Sequence, residues 1–334
     1  MIDTGLKIAL MGFGFIGKVH AMNIKNNPGA DLVAVFSSME TDKADIEKLG
    51  AKYHADWRNL LATERVDAIV VATPTFTHEE ICLAAIERGM HLFLEKPMER
   101  TLAKCETINK AAKRKGIHLG MGHVLRFDNE YISIKEQVIA GTINPKMVRC
   151  TRRGPPPGWA TWFCEEEKSG TVILDLSIHD IDFMCWLAGT PPVRVSAVAS
   201  PIPFGGKKMF GISHVVLDFN PGKGIELGFA EASWGAVQTF PFSTSIEVSG
   251  KNGLLSCAIP GKHPLEVYSA TSRAAMNTYA RDGYYNEIDD FITSIGRGKS
   301  PKVTGDDGYL AVKVSLAALE SAKRHETIKV EGFA

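Results

Sequence analysis

Between residues 6 and 121 the chain alternates short, fully apolar runs with longer amphipathic stretches. The runs Leu6–Met11, Leu32–Phe36, Ala68–Ala72, His91–Leu94 and Ile117–Met121 predict strands, and the stretches 16–27, 41–50, 76–88 and 101–115 predict helices. Apolar strands separated by helices are what a parallel sheet covered on both faces requires. Gly89 and Gly116 fall just past two of the helices and fit the C-cap role. Beyond residue 125 the pattern changes. A helix over 128–140 leads to a strand over Met147–Arg152, the turn Pro155-Pro156-Pro157-Gly158 and an apolar helix over 171–188. After Pro191-Pro192, the runs 193–199, 211–219, 225–232, 242–249 and 253–257 read as strands. Turn signals such as Asn220-Pro221-Gly222 and Gly250-Lys251-Asn252-Gly253 separate them, as in an antiparallel sheet. Helices over 284–296 and 306–324 finish the chain. The pattern predicts an α/β domain over 1–124 followed by an α+β domain over 125–334.

Composition narrows the function. A length of 334 residues suits two domains, and 38 basic residues balance 38 acidic ones at a pI near 7.1. That balance gives no general field for nucleic acid or an anionic membrane. The basic cluster Lys110, Lys113, Arg114 and Lys115 closes a predicted helix, where cations complement the dipole. The six cysteines are scattered without a Cys-x-x-Cys pair, so they read as buried reduced thiols in a reducing compartment. The apolar run Ile8 to Ile16 follows Asp3, is interrupted by glycines and has no small-residue cleavage site after it, so it does not read as a signal peptide. No stretch approaches the roughly 18 apolar residues needed to span a bilayer. The expectation is a soluble, cytoplasmic protein.

Gly12-Phe13-Gly14-Phe15-Ile16-Gly17 matches G-x-G-x-x-G and lies between the first strand and the first helix. There the first glycine makes the tight turn, the second lets a pyrophosphate approach the backbone, and the third packs helix on strand. The helix N-terminus adds N–H groups and positive potential for the phosphates. The predicted dinucleotide contacts are Gly12, Gly14, Phe15, Ile16 and Gly17. An NAD site usually places an acid about 20 residues further on. Ser37 stands there, in Val35-Phe36-Ser37-Ser38. Ser37 and Ser38 are able to donate to a 2′-phosphate and Lys43 to reach it, although no arginine is adjacent and Glu40 and Asp42 are close by. The reading is NAD or NADP, leaning to NADP or dual use.

Two further segments carry chemistry. Glu95-Lys96-Pro97 follows the strand His91–Leu94 and places Lys96 at a carboxyl strand end, where ligands of such sheets bind. In Asp175-x-x-x-His179, within the apolar helix over 171–188, the stripe Asp175, His179, Asp182 lies beside an apolar stripe of Leu174, Ile178, Ile181, Cys185 and Ala188. Acid and imidazole on so apolar a helix need partners or a cavity. An Asp–His pair leaves a metal short of ligands and no His-x-x-x-His is present, so no metal site is read.

Taken together with Ala72-Thr73-Pro74-Thr75 and His78, Gly122-His123-Val124-Leu125-Arg126-Phe127, and Asp306-Asp307-Gly308, these motifs resemble the Gfo/Idh/MocA family nearly end to end. That family includes glucose–fructose oxidoreductase and myo-inositol dehydrogenase. The resemblance implies a Rossmann domain followed by a domain with a large open, mainly antiparallel sheet that serves both substrate pocket and a homodimer or homotetramer interface. It puts the catalytic lysine on Lys96, the aspartate on Asp175 and the histidine on His179, and it adds Thr73, Pro74, Thr75, His78, Glu95 and Lys96 to the cofactor side. Ser37 departs from the acid that NAD-preferring relatives tend to carry.

The chemistry follows for a sugar, cyclitol or related polyol. His179, with a pKa near working pH, is the natural base for a secondary alcohol. Asp175 binds the substrate hydroxyl or orients the imidazole. Lys96 stabilises the developing alkoxide and disfavours a charged His179. Lys96, Arg126, Trp162, Asp175 and His179 form the expected substrate set, with Arg152, Trp159 and Tyr284 as further pocket candidates; His20, His54 and His123 read as structural. Two alternatives belong to other classes: a glycosidase or lyase cycling a tightly held NAD, and a non-catalytic NAD(P)-sensing regulator.

Overall fold

The computed structural model describes residues 5–158, 160–220, 222, 224–259, 265–269, 272–276 and 282–333. Two compact units emerge: residues 1–124 with 281–309, and residues 125–280 with 310–334. In the first, the order is β1 (Leu6–Met11), α1 (Phe15–Lys25), β2 (Ala30–Phe36), α2 (Lys43–Lys48), β3 (Lys52–His54), α3 (Trp57–Thr63), β4 (Ala68–Val71), α4 (His78–Glu87), β5 (His91–Glu95), α5 (Leu102–Lys115) and β6 (Leu119–Gly122). The strands form one parallel six-stranded sheet in the order β3-β2-β1-β4-β5-β6. Ile8 to Met11 and Ala68 to Val71 are fully buried, as a sheet covered on both faces demands. The strand order reverses between β1 and β4, so the turns after these two strands flank the crevice where such sheets bind ligands.

The second unit holds α6 (Asn129–Ile139), β7 (Pro145–Arg153), α7 (Glu166–Ser169), a π-turn over Ile173–Ser177 and α8 (Ile178–Ala188). The strands β8 (Arg194–Phe204), β9 (Lys207–Asp218), β10 (Leu227–Ser233), β11 (Ser243–Gly250), β12 (Gly253–Ile259), β13 (Leu265–Ser269) and β14 (Arg273–Met276) follow. In chain order α9 (Gly283–Gly296), part of the first unit, comes next, then α10 (Gly305–Arg324), which enters the second unit at Leu310, and β15 (Ile328–Lys329). The nine-stranded sheet runs β14-β13-β12-β11-β7-β10-β9-β8-β15, and its one parallel pair among the described strands is β7 with β10. Its faces differ in character. The register row Ala197, Val215, Ala230, Cys150, Ile246, Cys257 is buried across six strands. The next row, Val198, His214, Glu231, Thr151, Ser245, Ala258, points to the opposite side and is exposed or half-buried. The π-turn and α8 pack on β7, β9 and β10.

Three differences from the sequence reading matter. The strand β3 and helix α3 went unread, because a three-residue edge strand shows no periodicity. The segment read as one helix over 171–188 starts with a π-turn. It follows Thr171, a buried non-glycine residue at φ +67°. Residues 281–309, assigned by sequence to the second domain, pack with the first unit instead. The reason is α9, whose Ile288, Phe291 and Ile292 enter the core formed by α1, β1 and β2, with Phe291 edge-on to Phe93 at 5.6 Å. A hydrogen bond from Asn27 Nδ2 to Asp289 Oδ1 (2.7 Å) adds a polar tie. The six cysteines form no disulfide, and no helix among the described residues is long and apolar enough to cross a membrane.

The Phe291→Ala variant tests that assignment. Truncating a fully buried phenylalanine costs about 3–5 kcal/mol, which urea unfolding will register as a lowered midpoint. A loss below about 1 kcal/mol would mean that α9 only leans on the first unit.

Candidate active site

The glycine turn has the local geometry a pyrophosphate needs. Gly12 sits at φ +100°, and a Cβ there would lie 2.6 Å from the Ala72 carbonyl oxygen. On Gly17 a Cβ would lie 2.2 Å from the Gly12 carbonyl oxygen, so helix and turn touch through bare backbone. Gly14 is the opposite case: a Cβ would meet nothing within 4 Å, which leaves a cradle open in front of α1. Gly14 also starts the helix without any side-chain cap. A helix end of that kind attracts an anion. Phe15 is exposed and Ile16 half-buried on the first turn. The residues therefore fit a dinucleotide.

At the end of β2, Ser37 is buried and its hydroxyl donates to Asp42 Oδ2 at 2.6 Å, while Ser38 and Lys43 are exposed. A serine hydroxyl has one proton. Ser37 has thus spent its donor on Asp42, and the expected donation to a 2′-phosphate is not what this geometry offers.

Glu95 ends β5 in a buried position. Its Oε2 accepts the Lys96 backbone N–H at 3.1 Å, and its Oε1 lies 2.6 Å from His20 Nε2 on α1. Glu287 of α9 comes within 4.0 Å of the same nitrogen. These three groups bring ligand atoms within 4.8 Å of one another, a set that could hold a metal ion. However, His20 and Glu95 are in direct hydrogen-bond contact at 2.6 Å, and two ligands of one ion at about 2.1 Å stand further apart. A hydrogen bond, not an ion, joins the pair. Glu95 is consequently a positioning group beneath Lys96 rather than a surface contact for a cofactor. Lys96 is half-buried, and its bond to Pro97 is cis.

His78 differs in the same way from the cofactor role expected of it. It is buried, with Nε2 2.9 Å from the Thr73 carbonyl and Nδ1 3.1 and 3.2 Å from those of Pro97 and Met98. It ties the turn after β4, with its half-buried Thr73 and Pro74 and buried Thr75, to the turn after β5. Burial pushes its pKa below the usual histidine value, against the weaker opposing pull of the Thr73 and Met98 carbonyls.

In the second unit, Asp175 lies in the π-turn and His179 at the start of α8, both half-buried. Every other titratable side chain from 173 to 188 is buried. Asp182, read on the same stripe, faces elsewhere and is held by Arg126: Nε to Oδ2 at 2.9 Å and Nη2 to Oδ1 at 2.7 Å. Asp180 is held likewise by Arg152, at 3.2 and 2.9 Å, with Tyr131 Oη 3.3 Å from the guanidinium. Both arginines were pocket candidates, and these buried bidentate pairs make them anchors of α8 instead. Trp162 stacks on Phe163 at 3.9 Å, and Tyr284, in the first unit, sits edge-on to His20 at 6.2 Å. Trp159 lies outside the described residues.

Comparison with known proteins decides the family. The oxidoreductase family profile for an NAD-binding Rossmann fold matches residues 6–123, and that for its C-terminal alpha/beta domain matches 135–330. The chain belongs to the Gfo/Idh/MocA oxidoreductase family. It is 30% identical over 338 residues to the myo-inositol 2-dehydrogenase of Thermotoga maritima, covering 98% of this chain and 99% of that one. With the inositol 2-dehydrogenase of Rhizobium meliloti it shares 28% identity over 97% and 99% of the two chains. The crystal structure of myo-inositol 2-dehydrogenase from Lactobacillus plantarum superposes with a TM-score of 0.84 at 25% identity, covering 98% and 99%. As a Gfo/Idh/MocA member, the protein is an oxidoreductase whose first unit is an NAD-binding Rossmann domain.

Two expectations follow for this oxidoreductase. Gly14→Ala should keep the wild-type melting temperature yet weaken NAD binding at least about ten-fold, since only the ligand would meet the new methyl. Gly17→Ala should lose stability by more than about 2 kcal/mol; calorimetry and titration on the same samples separate the two. Secondly, a histidine whose folded pKa is depressed contributes stability above its unfolded pKa of about 6.5, and that stability is lost as pH falls. His78→Gln should therefore show a shallower drop in melting temperature than wild type between about pH 7.5 and 5.5. His91, also pushed down by burial and by His118, continues to titrate in both proteins. Parallel curves for the two proteins would remove His78 from the acid response.

Proposed function

We propose that the protein is an NAD-dependent inositol 2-dehydrogenase, oxidising a secondary alcohol of a cyclitol or closely related polyol. The observation that carries this reading is the pair Asp175 and His179, the titratable side chains that reach the surface on an otherwise buried helical segment. End-to-end similarity to relatives named inositol 2-dehydrogenase supports the choice of substrate class.

Held at the glycine turn, NAD would supply the hydride acceptor for the carbon bearing the hydroxyl. The chain's own residues handle the proton and the charge. His179 takes the hydroxyl proton on a ring nitrogen, a task suited to a group titrating near neutral pH. Asp175, one turn earlier, accepts a hydrogen bond from the substrate hydroxyl or fixes the imidazole tautomer. Lys96 offers positive charge to the oxygen as it becomes an alkoxide, which lowers the barrier most where water is excluded. Glu95 fixes the backbone from which Lys96 projects.

The test is NADH formation across a panel of inositols, sugars and sugar acids, followed by kinetics of His179→Ala and Lys96→Met on the best substrate. Each variant should lose about 10²–10⁴-fold in kcat while its affinity for NAD, measured by titration, changes little. Full turnover by His179→Ala would sink the base assignment. Activity on acyclic 2-hydroxy acids alone would move the substrate class.

A further inference from the structure

We propose that Asp42 makes this an NAD-selective site, supplying from the loop after β2 the carboxylate that the strand end itself lacks. The proposal rests on the glycine turn being the dinucleotide site and deepens that reading by naming what discriminates between the two nicotinamide cofactors.

The usual device is an acid at the end of the second strand, which accepts a hydrogen bond from the ribose 2′-hydroxyl and repels a 2′-phosphate. In this chain that position is Ser37. Ser37 is only 4% exposed, and both of its hydroxyl contacts are internal: the oxygen accepts the Met39 backbone N–H at 3.1 Å, and the proton goes to Asp42 Oδ2 at 2.6 Å. What the strand end presents is therefore not a hydroxyl donor but the carboxylate that the hydroxyl holds in place.

The placement of Asp42 is fixed from a second side. Its Oδ1 lies 3.7 Å from Lys18 Nζ. Lys18 belongs to the first turn of α1, its N–H bonded to the Gly14 carbonyl at 3.0 Å, and its Nζ sits 5.3 Å from the centroid of the Phe13 ring. The Asp42 carboxylate is thus pinned between the end of β2 and the glycine turn. A carboxylate offers about four lone-pair sites, of which Ser37 takes one, so acceptor capacity remains for a ribose hydroxyl.

The local charge disfavours the phosphorylated cofactor. Lys18 and Asp42 cancel, and Lys18 is half-exposed, with its charge screened by solvent. The exposed Glu40 and Lys43 beside them also cancel. A 2′-phosphate carries close to two negative charges and is normally met by an arginine. The first arginine in the chain is Arg58, and its guanidinium pairs with Glu80 and lies over the Trp57 ring.

Calorimetric titration of the full-length protein with NAD+ and with NADP+, without any substrate, tests this directly. Wild type should bind NAD+ at least about ten-fold more tightly, and Asp42→Asn should bring the two affinities within about three-fold of each other. Ser37→Ala removes one tether of the carboxylate but leaves its charge and its Lys18 contact, so NAD+ should stay preferred, by a smaller margin than in wild type. If Asp42→Asn does not fold, Asp42→Ser at the same position serves for the same comparison. A wild-type preference for NADP+, or an unchanged ratio in the Asp42 variant, overturns the proposal while leaving the dinucleotide site standing. Binding of neither cofactor overturns the site and the proposal together.

Discussion

A carboxylate taken out of water must be met by hydrogen bonds on both oxygens, and burying Glu95 dictates much of what surrounds it. His20 must come from the nucleotide helix to hydrogen-bond Oε1, and the Lys96 peptide must turn so that its N–H reaches Oε2. Gly122, opposite in the sheet, must remain glycine, because a Cβ there would lie 2.9 Å from the Glu95 carboxyl carbon. One buried group thus links α1, β5, β6 and, through Glu287, α9. The nucleotide turn at one end of α1 and the lysine after β5 cannot shift independently without unpairing it, and a buried polar group left unpaired costs about 1–3 kcal/mol or more.

The second unit solves an analogous problem with two arginines. Asp180 and Asp182 are buried on α8, and each is satisfied by a bidentate guanidinium from an element packed beside it. Two such clamps within a single turn, on different sides of α8, fix the helix in rotation as well as in depth. That leaves His179, immediately before them in sequence, on the side that reaches the surface. The anchors and His179 are neighbours on one helix, so the placement of His179 follows from the burial of the other two.

Much of this was legible in the sequence because the signals are periodic or local. The apolar runs located five of the six Rossmann strands, and the glycine spacing located the turn whose three glycines serve three different steric ends. The Asp-x-x-x-His pair was visible as polar residues in an apolar helix. What sequence could not carry was partnership across long separations. Arg126 with Asp182, 56 residues apart, looked like a pocket residue until its carboxylate was known. His78 looked like a cofactor contact because nothing local reveals that its nitrogens face carbonyls 19 and 20 residues away. The return of α9 to the first unit, and the π-turn before α8, are likewise tertiary decisions. Helical periodicity over a dozen residues does not distinguish a π-turn from an α-turn.

That π-turn and the residue before it sit against the general rule that a chain avoids strain. A threonine at φ +67° costs about 1–2 kcal/mol relative to an ordinary helical conformation, because its Cβ crowds the carbonyl. The surroundings over-determine it: Thr171 has no exposed surface, its N–H is bonded to Ser169 Oγ at 3.2 Å, and its own Oγ1 accepts the Ile173 N–H at 3.3 Å. Gly170 at φ +77° turns the chain immediately before it. The widened turn that follows holds Asp175 and hands the chain to α8 at Ile178, one residue before His179. Such strain persists only where burial and hydrogen bonds over-determine the backbone, and here both are present ahead of the half-buried Asp175 and His179. With the strain at Thr171, ahead of the π-turn, Asp180 and Asp182 lie in the regular turns of α8, where both arginine clamps close.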